Sequence, residues 1–209
     1  MLDTLARGAM LATAHLLTGV RGIWAAPPPA GPCVYFGNHV SHGDFALIWA
    51  VLPPLLRART RPVAGKDYWD KGALRRYVGR SVVRAVLIER EREKRDEDPI
   101  AQMSEVIQAG QSLILFPEGT RNQTDAELLP FKSGLYHLGR NNPGLPLVPA
   151  WIDNLHRVLP KGEIIPVPLL CTVHFGAPIT VADGEDKDAF LARARAALIA
   201  QRPAHLEAA

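Results

Sequence analysis

The chain is poor in the features that would assign it to several common classes. Its 209 residues contain two cysteines, Cys33 and Cys171. That count excludes a disulfide framework as the organising principle. Both thiols read as small buried hydrophobes of a reducing compartment, with one bridge between them allowed but not demanded. No apolar run is long enough to cross a bilayer. Near the N-terminus the longest stretch without an ionisable group runs from Gly8 to Ala14, or to Val20 if His15 is neutral, against the ~20 residues a spanning helix needs. A signal peptide fits poorly, because Asp3 occupies the position of the basic region and the Ala25-Ala26-Pro27 end is a weak cleavage site. Charge of one sign is also scarce: 24 Lys and Arg against 21 Asp and Glu leave a net +3. Such a mild excess gives no footprint for nucleic acid, and it suits a protein that meets anionic surfaces or small anions. There is no internal repeat.

What is present is a globular composition, 47% hydrophobic and 22% charged, enough for one core of ordinary density. Residues 1–26 read as an N-terminal apolar to amphipathic helix lying in a membrane interface. Leu5, Met10, Leu11, Leu16, Leu17, Val20 and Trp24 supply its apolar side, and Arg7 and Arg21 point toward headgroups. An ordinary packing helix is the equal alternative. Pro27-Pro28-Pro29 ends this segment, and residues 30–209 form the main domain. There, short apolar runs alternate with helical patterns. Strands are predicted at Cys33–Phe36, Arg61–Ala64, Val82–Ile88, Leu113–Phe116, Leu147–Ile152 and Leu170–Phe175. Helices are predicted at Phe45–Leu52, Leu74–Val78, Pro99–Ala109 (with Gly110 as its cap), Ser133–Leu138 and Phe190–Ile199. This alternation predicts an α/β fold with a mixed, largely parallel central sheet flanked by helices. The charged run Glu89–Asp98 reads as a solvated loop or helix start.

Two short stretches carry chemistry. In Asn38-His39-Val40-Ser41-His42-Gly43-Asp44, a base and a carboxylate stand five positions apart. On a continuous helix they would diverge. A turn through Ser41 and Gly43 would bring them together, with Asp44 at the favourable N-terminus of the next helix. A carboxylate on one imidazole nitrogen fixes the tautomer, so that the other nitrogen can take a proton from a hydroxyl. The competing reading makes Asp44 a helix cap and His39 a loop residue. A metal on His39, His42 and Asp44 is a third possibility, but His137, His156 and His174 stand in no ligand spacing, so no metal is assigned.

The second stretch, Phe116-Pro117-Glu118-Gly119-Thr120-Arg121, follows an apolar strand. Pro117 ends the ladder, Gly119 permits a tight turn with exposed N–H groups, and Arg121 can grip a phosphate in bidentate fashion. Glu118 can orient Arg121 or a donor near the reacting centre. Lys132 adds a cation just before a helix N-terminus, a second place for an anion.

Together the stretches make the chain resemble the glycerolipid acyltransferase family, in particular bacterial 1-acyl-sn-glycerol-3-phosphate acyltransferases, over roughly Val34 to Asp153. Asn38, His39 and Asp44 match the family's NHxxxxD motif, and Phe116 to Arg121 match FPEGTR throughout. Val86-Leu87-Ile88-Glu89-Arg90 stands where the family has an apolar strand ending in an arginine that contacts glycerol phosphate, and Val148-Pro149 matches the late valine-proline pair. The resemblance implies that His39 deprotonates the free hydroxyl of a lysophospholipid and that Asp44 orients His39. The oxygen then attacks an acyl thioester on coenzyme A or acyl carrier protein. Arg90, Glu118, Gly119, Thr120, Arg121 and Lys132 would bind the acceptor phosphate. No cofactor and no covalent acyl-enzyme are implied, and the chain has no G-x-S-x-G elbow. Backbone donors near Gly119 would meet the oxyanion.

The expected product is phosphatidic acid, made at the cytoplasmic face of the cell membrane by a peripheral or monotopic protein. Another lysophospholipid, a lyso-aminolipid or glycerol 3-phosphate remains open as acceptor. So does a membrane lipid-binding protein without turnover.

Overall fold

The computed structural model describes residues 2–89, 97–153 and 170–203. Its centre is a seven-stranded sheet. In chain order the strands are β1 (Arg21–Trp24), β2 (Val34–Gly37), β3 (Thr60–Gly65), β4 (Val86–Ile88), β5 (Ser112–Leu115), β6 (Leu147–Asp153) and β7 (Thr172–Phe175). They lie side by side as β1-β7-β6-β2-β5-β3-β4. The five from β6 to β4 are mutually parallel, β7 runs antiparallel to β6, and β1 runs parallel to β7. The mixed, largely parallel sheet expected from the alternation is the one observed.

The period of two along the buried strands sorts the core into two layers. On β2, Val34 and Phe36 face one side and Tyr35 the other. On β6, Leu147 and Trp151 oppose Val148, Ala150 and Ile152. The first side is covered by α6 (Pro99–Gln108), α7 (Gly134–Asn141) and α8 (Lys187–Ile199). The second is covered by α1 (Leu2–Thr18) and α2 (Asp44–Val51). A short helix α3 (Pro54–Ala58) leads into β3, and two more, α4 (Lys66–Trp69) and α5 (Ala73–Tyr77), lead through a π-helical turn at Val78–Val82 into β4. The stop of α2 at Leu52 before Pro53-Pro54, and Gly110 with φ +79° after α6, follow the punctuation legible in the sequence.

Two expectations change. The N-terminal helix ends at Thr18, and residues 21–24 form strand β1, so the boundary after residue 26 falls instead inside the sheet domain. The reason is visible at Trp24, which stacks on Phe175 with centroids 3.9 Å apart and meets Tyr35 edge-on. Val20 is likewise buried in the sheet core rather than on an outward helical face. The strand predicted from Val82 shrinks to Val86–Ile88. Val82 and Val83 are buried against Ala6, Met10 and Phe45 in the turn beneath α1. Arg84 takes φ +52° where the chain re-enters the sheet.

On α1, the inner stripe Ala6, Met10 and Ala14 packs inward. Both charged side chains of the helix find partners on the segment that leads into β4. Asp3 accepts a hydrogen bond from the Tyr77 hydroxyl at 2.7 Å, and Arg7 donates to the Val82 and Ser81 carbonyls at 2.7 and 3.0 Å. Leu2, Leu5 and Leu16 are left 69%, 65% and 81% exposed. Among the described residues, no helix is long and apolar enough to cross a membrane.

Candidate active site

The site lies where parallel neighbours β2 and β5 end at their carboxyl edges, the usual place for ligands in such sheets. Past Gly37, Asn38 prolongs the β2–β6 ladder with its side chain. Its amide donates to the Ile152 carbonyl at 3.0 Å and accepts from the Ile152 N–H at 2.7 Å. This double clamp fixes where the chain leaves the sheet, and so where His39 begins.

The chain then turns, as the spacing required. Asp44, fully buried, opens α2. Its Oδ2 accepts from His39 Nδ1 at 2.8 Å, from the Val40 N–H at 2.7 Å and from the Ser41 N–H at 2.9 Å. Three donors on one oxygen compensate the removal of a carboxylate from water. With the proton held on Nδ1, His39 presents the Nε2 lone pair outward, the orientation a general base needs. The His39 ring lies flat on Phe116, with centroids 4.3 Å apart and planes within 14°. That stack joins the first motif to the second. Asp44 is therefore a positioning residue as well as the first residue of a helix.

Glu118 holds backbone donors, one of them at the reacting centre itself. It is 2% exposed. One oxygen accepts from the His39 N–H and the other from the Leu129 N–H, both at 2.8 Å. Burial pushes its carboxyl above the usual range, partly offset by those two backbone donors. Glu118 thus ties the His39 peptide to the loop before α7 and lines neither cavity described below. The Asn122 N–H adds a second tie, donating to the His39 carbonyl at 2.6 Å.

His39 stands between two cavities. One, of about 220 Å³, is walled by Val63, Ile88, Met103, Leu115 and Leu135, and it includes Gly119 and Lys132. The other, of about 250 Å³, is lined by His42, Asp67, Tyr68, Thr120 and Arg121. His39, Phe116 and residues 63–65 of β3 belong to both. The groups expected to act together on the phosphate are therefore separated: Thr120 and Arg121 face the polar cavity, Lys132 the apolar one. Arg90 lies outside the described residues.

His42 stacks on Tyr68 at 4.1 Å, and the Arg75 guanidinium sits 4.6 Å from the same ring. Burial, then the neighbouring cations Arg121 and Arg75 and the imidazole of His39, hold His42 below its ordinary value. His42 thus lines the same cavity as His39, held there against Tyr68. Among the described residues no group of three His, Cys, Asp or Glu side chains could hold a metal.

Asn38 was legible as part of the motif, but not its clamp on Ile152. Residues 63 and 64 were legible as part of a strand, but neither they nor Tyr68 were legible as part of the site, because parallel pairing of β3 with β5 carries them to His39.

A buried acid–histidine pair at a sheet edge, between an apolar and a cationic cavity, defines a class of group-transfer site. The acyltransferase family model matches residues 20–153, and the chain belongs to that family. It is 31% identical over 156 residues to a 1-acyl-sn-glycerol-3-phosphate acyltransferase of Cocos nucifera, an alignment covering 74% of this chain and 48% of that protein. A protein of the same name from Limnanthes douglasii is 43% identical over 72 residues, 34% of this chain and 25% of that one. The chain thus spans about half the length, or less, of these curated relatives. Among solved structures it is similar to the 1-acyl-sn-glycerophosphate (LPA) acyltransferase PlsC of Thermotoga maritima, with a TM-score of 0.71 and 18% identity over 94% of this chain and 77% of that one. At that identity the likeness is one of fold.

Proposed function

We propose that the chain transfers a fatty acyl group from an acyl thioester, on coenzyme A or acyl carrier protein, to the free hydroxyl of 1-acylglycerol 3-phosphate, giving phosphatidic acid. The observation that carries this reading is the position of His39. Its Nδ1 is held by Asp44, and its ring forms a wall common to an apolar cavity and a cavity bearing Thr120 and Arg121.

An acyl chain suits the first cavity and a phosphate the second, so thioester carbon and acceptor hydroxyl meet beside the imidazole. Nε2 takes the hydroxyl proton while the oxygen attacks the thioester carbon. The carbonyl electron pair moves onto oxygen. Collapse then expels the thiolate, which recovers the proton from His39. The relatives' names support the acceptor, and no metal or cofactor enters the scheme.

The proposed location is the cytoplasmic face of the cell membrane. Support comes from the outward leucines of α1, whose Asp3 and Arg7 side chains are hydrogen-bonded within the protein.

The test follows thiol release from an acyl thioester with and without added lysophosphatidic acid, and the product by mass spectrometry. Thiol release that depends on the lysolipid, with phosphatidic acid formed, is expected. Lipid binding with no thiol release would sink the reading in favour of a binding protein. Acylation of another lysolipid in preference would move the acceptor.

A further inference from the structure

We infer that Lys132 is a catalytic residue on the acyl-donor side: its ammonium stabilises the oxyanion formed from the thioester carbonyl, rather than holding the acceptor phosphate. This rests on the acyl-transfer reading above.

Placement is the first reason. Lys132 lines the apolar cavity, and among the described residues lining it, His39 and Lys132 are the two with ionisable side chains. Arg121 and Thr120 line the other cavity. A cation meant for the same phosphate as Arg121 would have to share that cavity. A cation among Val63, Ile88, Met103 and Leu135 instead faces the place where an acyl chain ends and its carbonyl meets His39. Charge developing there, away from bulk water, interacts with a nearby ammonium more strongly than it would in solvent.

The second reason is the fate of the backbone donor expected for that task. The Gly119 N–H already donates to the Phe116 carbonyl at 3.0 Å, closing the turn. What stands over Gly119 is Lys132: a Cβ added at this glycine would lie 2.7 Å from its Cδ and Cε and 2.8 Å from its Nζ. Gly119, with φ +69°, therefore serves two needs, a left-handed turn and room for the lysine to cross it. The base of the side chain is fixed as well, since the Lys132 N–H donates to the Pro117 carbonyl at 2.8 Å. The same cavity is lined by Gly134, the first residue of α7, whose N-cap Ser133 makes no side-chain cap. The positive end of that helix reinforces the lysine.

In the step so described, the acceptor proton passes to His39 Nε2, the new C–O bond forms, and the carbonyl π pair becomes the oxyanion paired with Lys132. The pair returns as the C–S bond breaks, and the thiolate leaves with the proton held by His39.

The test uses the full chain with lysophosphatidic acid and, separately, with neutral monoacylglycerol at high concentration. Wild-type turnover must first depend on an added acceptor; without that, the acyl-transfer reading itself fails. Lys132→Met removes the charge while keeping the stem. The expected result is a loss of ~10²–10³ in kcat, with the KM for lysophosphatidic acid within about twofold of wild type, the same loss with monoacylglycerol, and partial rescue by Lys132→Arg. The opposite pattern would overturn the proposal: a raised KM for lysophosphatidic acid at unchanged kcat, with no effect on monoacylglycerol. A thermal midpoint near that of wild type shows that the variant is folded. Should Lys132→Met fail to fold, Lys132→Gln is read by the same two outcomes.

Discussion

The two cavities that meet at His39 have the same wall and opposite chemistry. On one side Val63, Ile88, Met103, Leu115 and Leu135 offer nothing but apolar surface apart from one lysine. On the other, Arg121, Thr120, Asp67 and the His42–Tyr68 stack offer charge and hydrogen bonding. The common wall is β3, Phe116 and His39 itself. The difference teaches that one imidazole can serve two ligands of unlike solubility only if something fixes it from beneath. Asn38, Asp44 and Glu118 do this from buried positions that touch neither cavity's interior. The site is thus divided by depth as well as by side: cavity-lining groups are at its surface, and the groups that fix His39 are below it.

The largest effect is expected where the two sides meet. His39→Ala removes the base common to both and should lower kcat by ~10²–10⁴, measured as lysolipid-dependent thiol release. The fold should survive, because His39 packs on Phe116 at the cavity wall rather than in either core layer. Near wild-type turnover in that variant would break the comparison outright, since the cavities would then have no common centre.

Next come changes that touch one side only. Arg121→Ala should raise the KM for lysophosphatidic acid by about 10- to 100-fold, the worth of one or two charge-assisted bonds of ~1.5–3 kcal/mol, with the KM for the donor unchanged. Ile88→Phe fills part of the apolar cavity and should do the reverse. For a long-chain donor, each methylene kept out of that cavity costs ~0.8 kcal/mol, or about fourfold in donor KM. Acceptor KM should stay put, and shorter donors should be favoured. If either variant shifted both KM values equally, the cavities would not be separate sites.

How much of this was legible varies with the kind of signal. Spacing and the turn residues Ser41 and Gly43 allowed His39 and Asp44 to meet but equally allowed a helix cap beside a loop histidine, and the second motif was needed to choose the pair. The strands of the sheet centre were legible because they are apolar on both faces, as buried parallel strands must be. The run from Val82 was misread for the same reason. A short β-branched apolar stretch suits a strand or a buried turn equally, and here the packing of Ala6 and Met10 of α1 over it decided the matter. Trp24 was read as part of a helix, since nothing local announces a stack on Phe175, about 150 residues away. The cationic character of Lys132 and Arg121 was plain, but which cavity each faces depends on a turn whose direction Gly119 sets. Glu118 was read as able to orient Arg121 or a donor near the reacting centre, and the fold uses both its oxygens on backbone N–H groups, one of them that of His39.

Glu118 also gives the smallest and most easily missed effect, because it belongs to neither side. Glu118→Gln keeps one acceptor oxygen and turns an NH2 toward either the His39 or the Leu129 N–H. One buried donor then goes unpaired, a cost of ~1–3 kcal/mol that should appear as a lower thermal midpoint. The pH dependence has a definite sign. Burial raises the folded carboxyl above its ordinary 4.5. Its favourable contribution is therefore full below that ordinary value and is lost as pH rises through the raised one. The glutamine variant has no such titration. The gap in midpoint between wild type and Glu118→Gln should thus be widest near pH 4 and narrow to a plateau by neutral pH. A gap that widened with pH would mean that the two backbone donors outweigh burial, and Glu118 would then be held as a stabilised anion. Turnover should fall modestly and equally with every donor and acceptor, because a loosened His39 peptide moves the base relative to both cavities at once.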